Sequence, residues 1–334
     1  VLSVARACER LRDSGACEAY SPLFARLPLI VDLRTGDPCR AEDRERLAKA
    51  LTELPCPSVA IVSETAAVGP DAIAGLFDVI VRTPDELRLV VAAAERSPMA
   101  AAALVQLLRG DERRSPSEAI LAESWVYAML QAGPEHAAWL ARRKPPRPRA
   151  APKEPAVLVE RMGDDLVLTL NRPEVHNAYS AEMRDRLVEG LELARADASI
   201  ARVILGGRGL SFCSGGDLDE FGSRPDPATA HAVRSVRNAA RLLAELSDRV
   251  EVEVHGACIG AGIELPAFAR RVCARPNASF ELPEISMGLI PGAGGTASIP
   301  RRIGRQRTAY LALTGARIDA STALGWGLVD EIAA

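Results

Sequence analysis

Three times in its second half this chain runs an extended apolar stretch straight into a cluster of glycine and other small residues. The segments are FCSGGDLDEF from Phe212, HGACIGAGIELPAF from His255 and FELPEISMGLIPGAGGT from Phe280. Glycine reaches backbone conformations closed to other residues and leaves main-chain N–H groups unobstructed, so each segment predicts a strand that ends in a tight turn. Strand, turn and helix in alternation predict an α/β fold.

The three turns differ in chemical content. The first, taken alone, reads as a simple turn. In the second, Pro266 is best tolerated in a helix's first turn, so a helix should begin just upstream. Its free N–H groups and positive dipole end then lie near residues 260–262, where a developing negative charge could be held. Glu264 sits in that first turn. A glutamate there ordinarily faces water and complements the dipole, but Ile263, Leu265 and Phe268 argue for burial, and a buried carboxylate needs a reason. In the third, Glu284 stands between Pro283 and Ile285, with Gly288, Gly292, Gly294 and Gly295 shaping the loop beyond it. GAGGT superficially suggests a phosphate loop, but no GK[ST] follows.

A proline-rich stretch, RRKPPRPRAAPKEP from Arg142, should sustain neither helix nor sheet. It divides the 334 residues into an amino-terminal region 1–143, a linker 144–155 and a second region 156–334. Before the linker, β-branched apolar runs predict strands at 29–33, 58–62 and 78–81, and helical spacing predicts helices over 41–54 and across 98–143. After it, 156–160 and 166–170 read as a hairpin through Gly163. Ser180 caps a helix running to about residue 196. Strands are expected at 202–205, 250–254 and 279–282, a helix at 231–246, turns at 255–262 and 290–295, and another helix after residue 262.

Composition narrows the function classes. Hydrophobic residues make up 48% and charged residues 25%, ordinary for a globular protein with a core, and a net charge of −3 argues against non-specific nucleic-acid binding. The seven cysteines are odd in number, irregularly spaced and without a CxxC pair, and the four histidines are scattered, so no disulfide framework or metal site is expected. No apolar run approaches the ~18 residues that span a bilayer, and the first residues lack a signal-peptide core, so the expected location is cytoplasmic.

Taken in order, NRPEVHNA from Asn171, GGRGLSFCSGGDL from Gly206, HGACIGAGIEL, LPEISMGLIPGAGGT and GLVDEI from Gly327 resemble the crotonase (enoyl-CoA hydratase/isomerase) superfamily over residues 156–332. The resemblance implies a crotonase-like spiral of ββα units. It implies that the backbone N–H groups of Gly216 and Ala261 hold the carbonyl oxygen of a CoA thioester. Alanine replaces the usual glycine at the second position but keeps the N–H. It implies catalytic carboxyls at Glu264 and Glu284. His176, Asn177 and Ala178 match the segment that borders the CoA ribose and pantetheine, and Gly215, Asp217, Leu218, Gly260 and Gly292 complete the expected CoA-contacting positions. Asp217 is expected to brace its loop, and Cys213 and Cys258 lack a partner base for nucleophilic work.

The implied activity is hydration of a trans-2-enoyl-CoA to a 3-hydroxyacyl-CoA. Isomerisation, thioester hydrolysis, cofactor-independent ring oxygenation and non-catalytic acyl-CoA binding are the alternatives. No metal, nicotinamide or flavin is implied, CoA enters as part of the substrate, and a homo-oligomer (trimer or dimer of trimers) is expected. Family members usually continue for two or three helices past GLVDE, and residues 156–334 lack them. LAESWVYAMLQAGPEHAAWLARRKP, from Leu121, resembles such a carboxyl-terminal segment, and the region from LPLIVDLRTGD to FDVIVRTP resembles a worn-down crotonase core. A degenerate first copy whose last helices cover the second copy's site would bring Arg142, Arg143 and Lys144 toward the CoA phosphates. A solvated basic linker is equally compatible with those residues.

Overall fold

The computed structural model describes residues 1–34, 41–65, 72–111, 113–144, 154–223 and 226–333. Most of the expected linker, 145–153, lies outside them. The second half carries a six-stranded sheet in the order Glu331–Ile332, Arg271–Ala274, Val250–Val254, Arg202–Gly207, Asp165–Leu170, Val157–Met162. All its neighbours are parallel except the hairpin formed by the last two strands. Strict alternation in DLVLTL turns Leu166, Leu168 and Leu170 into the core.

Two of the strands lead at once into a second, three-stranded sheet. Val250–Val254 is followed by Ala257–Ile259, and Arg271–Ala274 by Ser279–Glu281; these two shorter strands pair in parallel, and Ile318–Asp319 closes the sheet antiparallel. Gly256 makes the first of these corners, at φ +56°, and a Cβ there would run into Leu210 O. A strand in each sheet and then a helical turn is the expected ββα spiral.

The first half builds its own parallel sheet, in the order Leu2–Ser3, Leu29–Asp32, Ser58–Ile61, Val79–Val81. Leu29, Val31, Leu47, Leu51 and Phe77 form a separate small core on one side. The other side, through Val59, Val79 and Val81, joins the main core. Helices Pro84–Arg96, Pro98–Asp111 and Pro116–Gln131 pack into that same core: Leu104, Leu108 and Ile120 are continuous with Leu166, Ile263 and Ile299.

A buried charge cluster fastens the small sheet to the second half. Asp78, 1% exposed, accepts from Ser58 N and Oγ at 2.8 and 2.7 Å, pairs with Arg109 at 2.6 Å, and pairs with Arg305 of helix Arg305–Thr314 at 3.0 Å. Removing one partner from such a cluster strands the others' charge. Asp78→Asn is therefore expected to lower unfolding stability by about 3–5 kcal/mol in a urea titration. A loss under about 1 kcal/mol would mean that the two arginines are solvated rather than paired.

Three sequence expectations change. The helix expected over 231–246 is two helices, Pro227–Val236 and Ala239–Glu245, because the Asn238 side chain accepts from Arg241 N and starts a new one. The turn expected at 255–262 contains the strand Ala257–Ile259. The helix after it is a single turn, Ala261–Glu264, followed by the 3₁₀ turn Pro266–Phe268, since Pro266 has no N–H with which to continue the ladder. Among the described residues no helix is long and apolar enough to cross a membrane.

Candidate active site

Gly216, Ala261, Glu264, Glu284 and Gly292 line one cavity of about 230 Å³. Each reaches it for a local reason. The Gly216 loop is laid against residue 179: Tyr179 N donates to Gly215 O at 2.7 Å, and Asp217 N to Tyr179 O at 3.0 Å. Asp217 accepts from Arg172 Nη2 at 2.9 Å and from Asp219 N at 3.2 Å, so its carboxylate braces the loop. Ala261 opens its helical turn from Gly260, whose φ of +50° aims the following amide. A Cβ on Gly260 would collide with Glu284 Oε1. Among the described residues neither Gly216 N nor Ala261 N donates to a protein acceptor.

The acids are held unequally. Glu264 Oε2 accepts from Ala293 N at 2.7 Å and Gly295 N at 2.9 Å. Glu123, from helix Pro116–Gln131 in the first half, interleaves with it: Oε1 accepts from Gly294 N at 2.7 Å, and Oε2 from Thr296 N at 2.9 Å and Thr296 Oγ1 at 2.7 Å. Four successive amides at the start of helix Gly295–Ile303 are thus consumed by two carboxyls, a favourable position for negative charge. Glu284 differs, because its Oε2 is buried and makes no hydrogen bond among the described residues.

Burial pushes all three carboxyls above the ordinary glutamate range. The charge of Glu284 raises Glu264 further, and that of Glu264 raises Glu123 further, while the amide hydrogen bonds pull both down. The three acids share one cavity and titrate as a set, with protonated carboxyls persisting above the ordinary glutamate range.

The remaining expected positions stand behind the cavity or beside it. His176 and Asn177 both have φ +54°. Asn177 Nδ2 donates to Arg208 O at 2.8 Å and Ser211 O at 3.0 Å, and its Oδ1 accepts from Arg172 N at 2.7 Å. His176 Nδ1 lies 3.1 Å from Ser211 Oγ, and Ala178 O accepts from Arg172 Nη1 at 2.5 Å. This segment buttresses the loop that carries Gly215 and Gly216. Arg143 donates to Leu218 O, lies 3.7 Å from Asp219 and covers the Trp139 ring. Its guanidinium therefore ties the end of helix Pro134–Ala141 to the loop beyond Asp217, whereas Arg142 is exposed. Cys213 and Cys258 are buried neighbours whose thiols burial pushes up, Cys213 to about 12.

Sequence reasoning passed over Glu123, Tyr127, Tyr179 and Arg234, all on the cavity wall. A usable signal existed for the first: Glu123 interrupts an apolar helical run, as Glu264 does. Tyr127 packs its ring against Gly292, and Arg234 lies over that ring at 4.8 Å.

A ββα spiral with two unpartnered amides and buried carboxyls around one cavity defines a class, and comparison with known proteins identifies it. The enoyl-CoA hydratase/isomerase family model matches residues 165–334, and the chain belongs to that family and has the crotonase fold. It is 37% identical over 176 residues to 2,3-dehydroadipyl-CoA hydratase of Escherichia coli, covering 53% of this chain and 68% of that protein. It is 36% identical over 171 residues to 1,2-epoxyphenylacetyl-CoA isomerase of the same organism, covering 50% and 65%. The crystal structure of an enoyl-CoA hydratase from Mycobacterium smegmatis superposes with a TM-score of 0.51 at 32% identity, covering 54% of this chain and 71% of that one. The chain thus spans about two thirds of the length of the curated relatives it matches, and residues 1–164 lie outside the family match.

Proposed function

We propose that this chain adds water across the double bond of a trans-2-enoyl-CoA. The observation that carries the reading is the unpartnered, buried Glu284 Oε2 in the same cavity as Glu264 and the two vacant amides. Addition to the β-carbon places negative charge on the thioester oxygen. Gly216 N–H and Ala261 N–H stabilise it, and each such donor typically lowers the barrier by about 3 kcal/mol. An ionised carboxyl takes a proton from water as its oxygen bonds to the β-carbon. A protonated carboxyl gives a proton to the α-carbon, so one water is added in all.

The amino-terminal helices complete this site in the proposed layout of a degenerate first copy and an active second one. Glu123 sets the amides that hold Glu264, and Arg143 with Trp139 secures the loop after Gly216. CoA enters as part of the substrate.

Incubation with crotonyl-CoA tests the reading. The enoyl absorbance is expected to fall as 3-hydroxybutyryl-CoA appears by mass. Because burial raises both acids, the acid limb of kcat/KM should lie above the ordinary glutamate value of about 4.3. No hydrated product from crotonyl-CoA or longer enoyl-CoAs would overturn hydration. Double-bond isomerisation is the second reading, because one carboxyl held by amides and one with a bare oxygen also suit proton transfer between two carbons. Conversion of a 3-enoyl-CoA without water uptake would favour it.

A further inference from the structure

We propose that Arg234 is a specificity-determining residue that selects acyl-CoA substrates with a carboxylate at the far end of the acyl chain. This rests on the acyl-CoA reading above and narrows it to a substrate class. Arg234 belongs to helix Pro227–Val236 and lines the cavity shared by Gly216, Ala261, Glu264 and Glu284. Its Nε donates to Ser124 Oγ at 3.0 Å, Nη1 to Gln131 Oε1 at 3.3 Å and Nη2 to Ser124 O at 3.4 Å, and it lies over the Tyr127 ring. Every one of these partners is neutral, and among the described residues no carboxylate pairs with it.

A sheltered cation served only by neutral acceptors keeps an uncompensated charge beside whatever fills the cavity. Burial lowers the basicity of this guanidinium, yet an arginine stays charged. The other arginines on the wall differ: Arg184 pairs with Asp185 at 2.8 Å, and Arg237 is exposed. The acid that Arg234 senses, Glu123, has its carboxyl committed to the Gly294 and Thr296 amides. A carboxylate on the ligand is the natural counter-ion, since the planar fork of arginine matches its two oxygens.

An anionic oxygen could also come from the CoA phosphates, and Arg234 also bridges two helices. Binding of unreactive saturated ligands separates these cases. Calorimetric Kd values are to be measured for the pairs succinyl- and butyryl-CoA, glutaryl- and pentanoyl-CoA, and adipyl- and hexanoyl-CoA, and for free CoA. In the unmodified chain at least one carboxylated member should bind about 30-fold more tightly than its neutral partner. Arg234→Gln should erase that preference and leave the neutral partner and free CoA unchanged, and Arg234→Lys should keep part of it. Equal or tighter binding of the neutral partners by the unmodified chain would overturn the proposal, and that result needs no variant to fold. Equal weakening of all ligands by Arg234→Gln would also overturn it. A preference without any turnover would leave this proposal standing and sink hydration, whereas no acyl-CoA binding at all would sink both.

Discussion

Glu284→Gln is expected to cut kcat for enoyl-CoA hydration by about 10²–10⁴-fold, the usual contribution of a positioned acid or base. The substitution preserves shape and removes the titrating group. Since the lost interaction belongs to the transition state, kcat should fall with little change in KM. Glu264→Gln should lose a similar factor, because the amide oxygen can still accept from Ala293 N and Gly295 N while proton transfer is lost. Stability should move the other way with pH. A buried acid whose folded pKa is raised contributes stability that is fully present below the ordinary carboxyl range and disappears as pH rises through the raised value. The glutamine variants should therefore gain thermal stability relative to the unmodified chain on going from acid to alkaline pH. Steady-state kinetics and pH-dependent melting test both points, and kcat within a few-fold of the unmodified value for both variants would remove these acids from the chemistry.

Glu123→Ala should be the most damaging change far from the family match. It leaves Gly294 N, Thr296 N and Thr296 Oγ1 without their acceptor in a buried setting, at about 1–3 kcal/mol for each unmet group. The expected loss is about 3–5 kcal/mol in denaturant titration. Those amides alternate along the chain with the two that hold Glu264, so its carboxyl should shift as well, and kcat should drop by about tenfold or more. Glu123 acts through Glu264, so the conservative variant distinguishes positioning from catalysis. Glu123→Gln retains the shape and one acceptor oxygen for the Thr296 groups but turns its NH2 toward Gly294 N–H, so it should recover only part of the stability and of kcat. Loss of kcat in Glu123→Gln as deep as in Glu284→Gln would instead make Glu123 a proton-transfer group.

Much of this site was legible because its parts are local. The glycine turns, the hairpin, the Ser180 cap and the acids at 264 and 284 each depend on a few consecutive residues. The brace formed by Asp217 is not local in this sense, since its partner Arg172 stands 45 residues earlier, and resemblance to the family is what pointed to it. The break between Pro227–Val236 and Ala239–Glu245 was missed because apolar spacing continues across it, and only the Asn238 cap interrupts it. The strand Ala257–Ile259 was missed because three residues carry too little pattern, and its partner Ser279–Glu281 supplies the order.

Sequence alone thus determined the alternation of strands, turns and helices and the small residues at the turns, since short-range sterics and helix starts set these, while the ββα spiral and the acids at 264 and 284 were read through resemblance to the family. Only the tertiary structure decided that Glu123 shares a helix terminus with Glu264, that Arg234 faces the cavity without a carboxylate partner among the described residues, and that the first half's helices share the second half's core. Those outcomes depend on which groups are buried together across more than a hundred residues of chain, and burial is a property of the packed molecule that no local run of residues encodes.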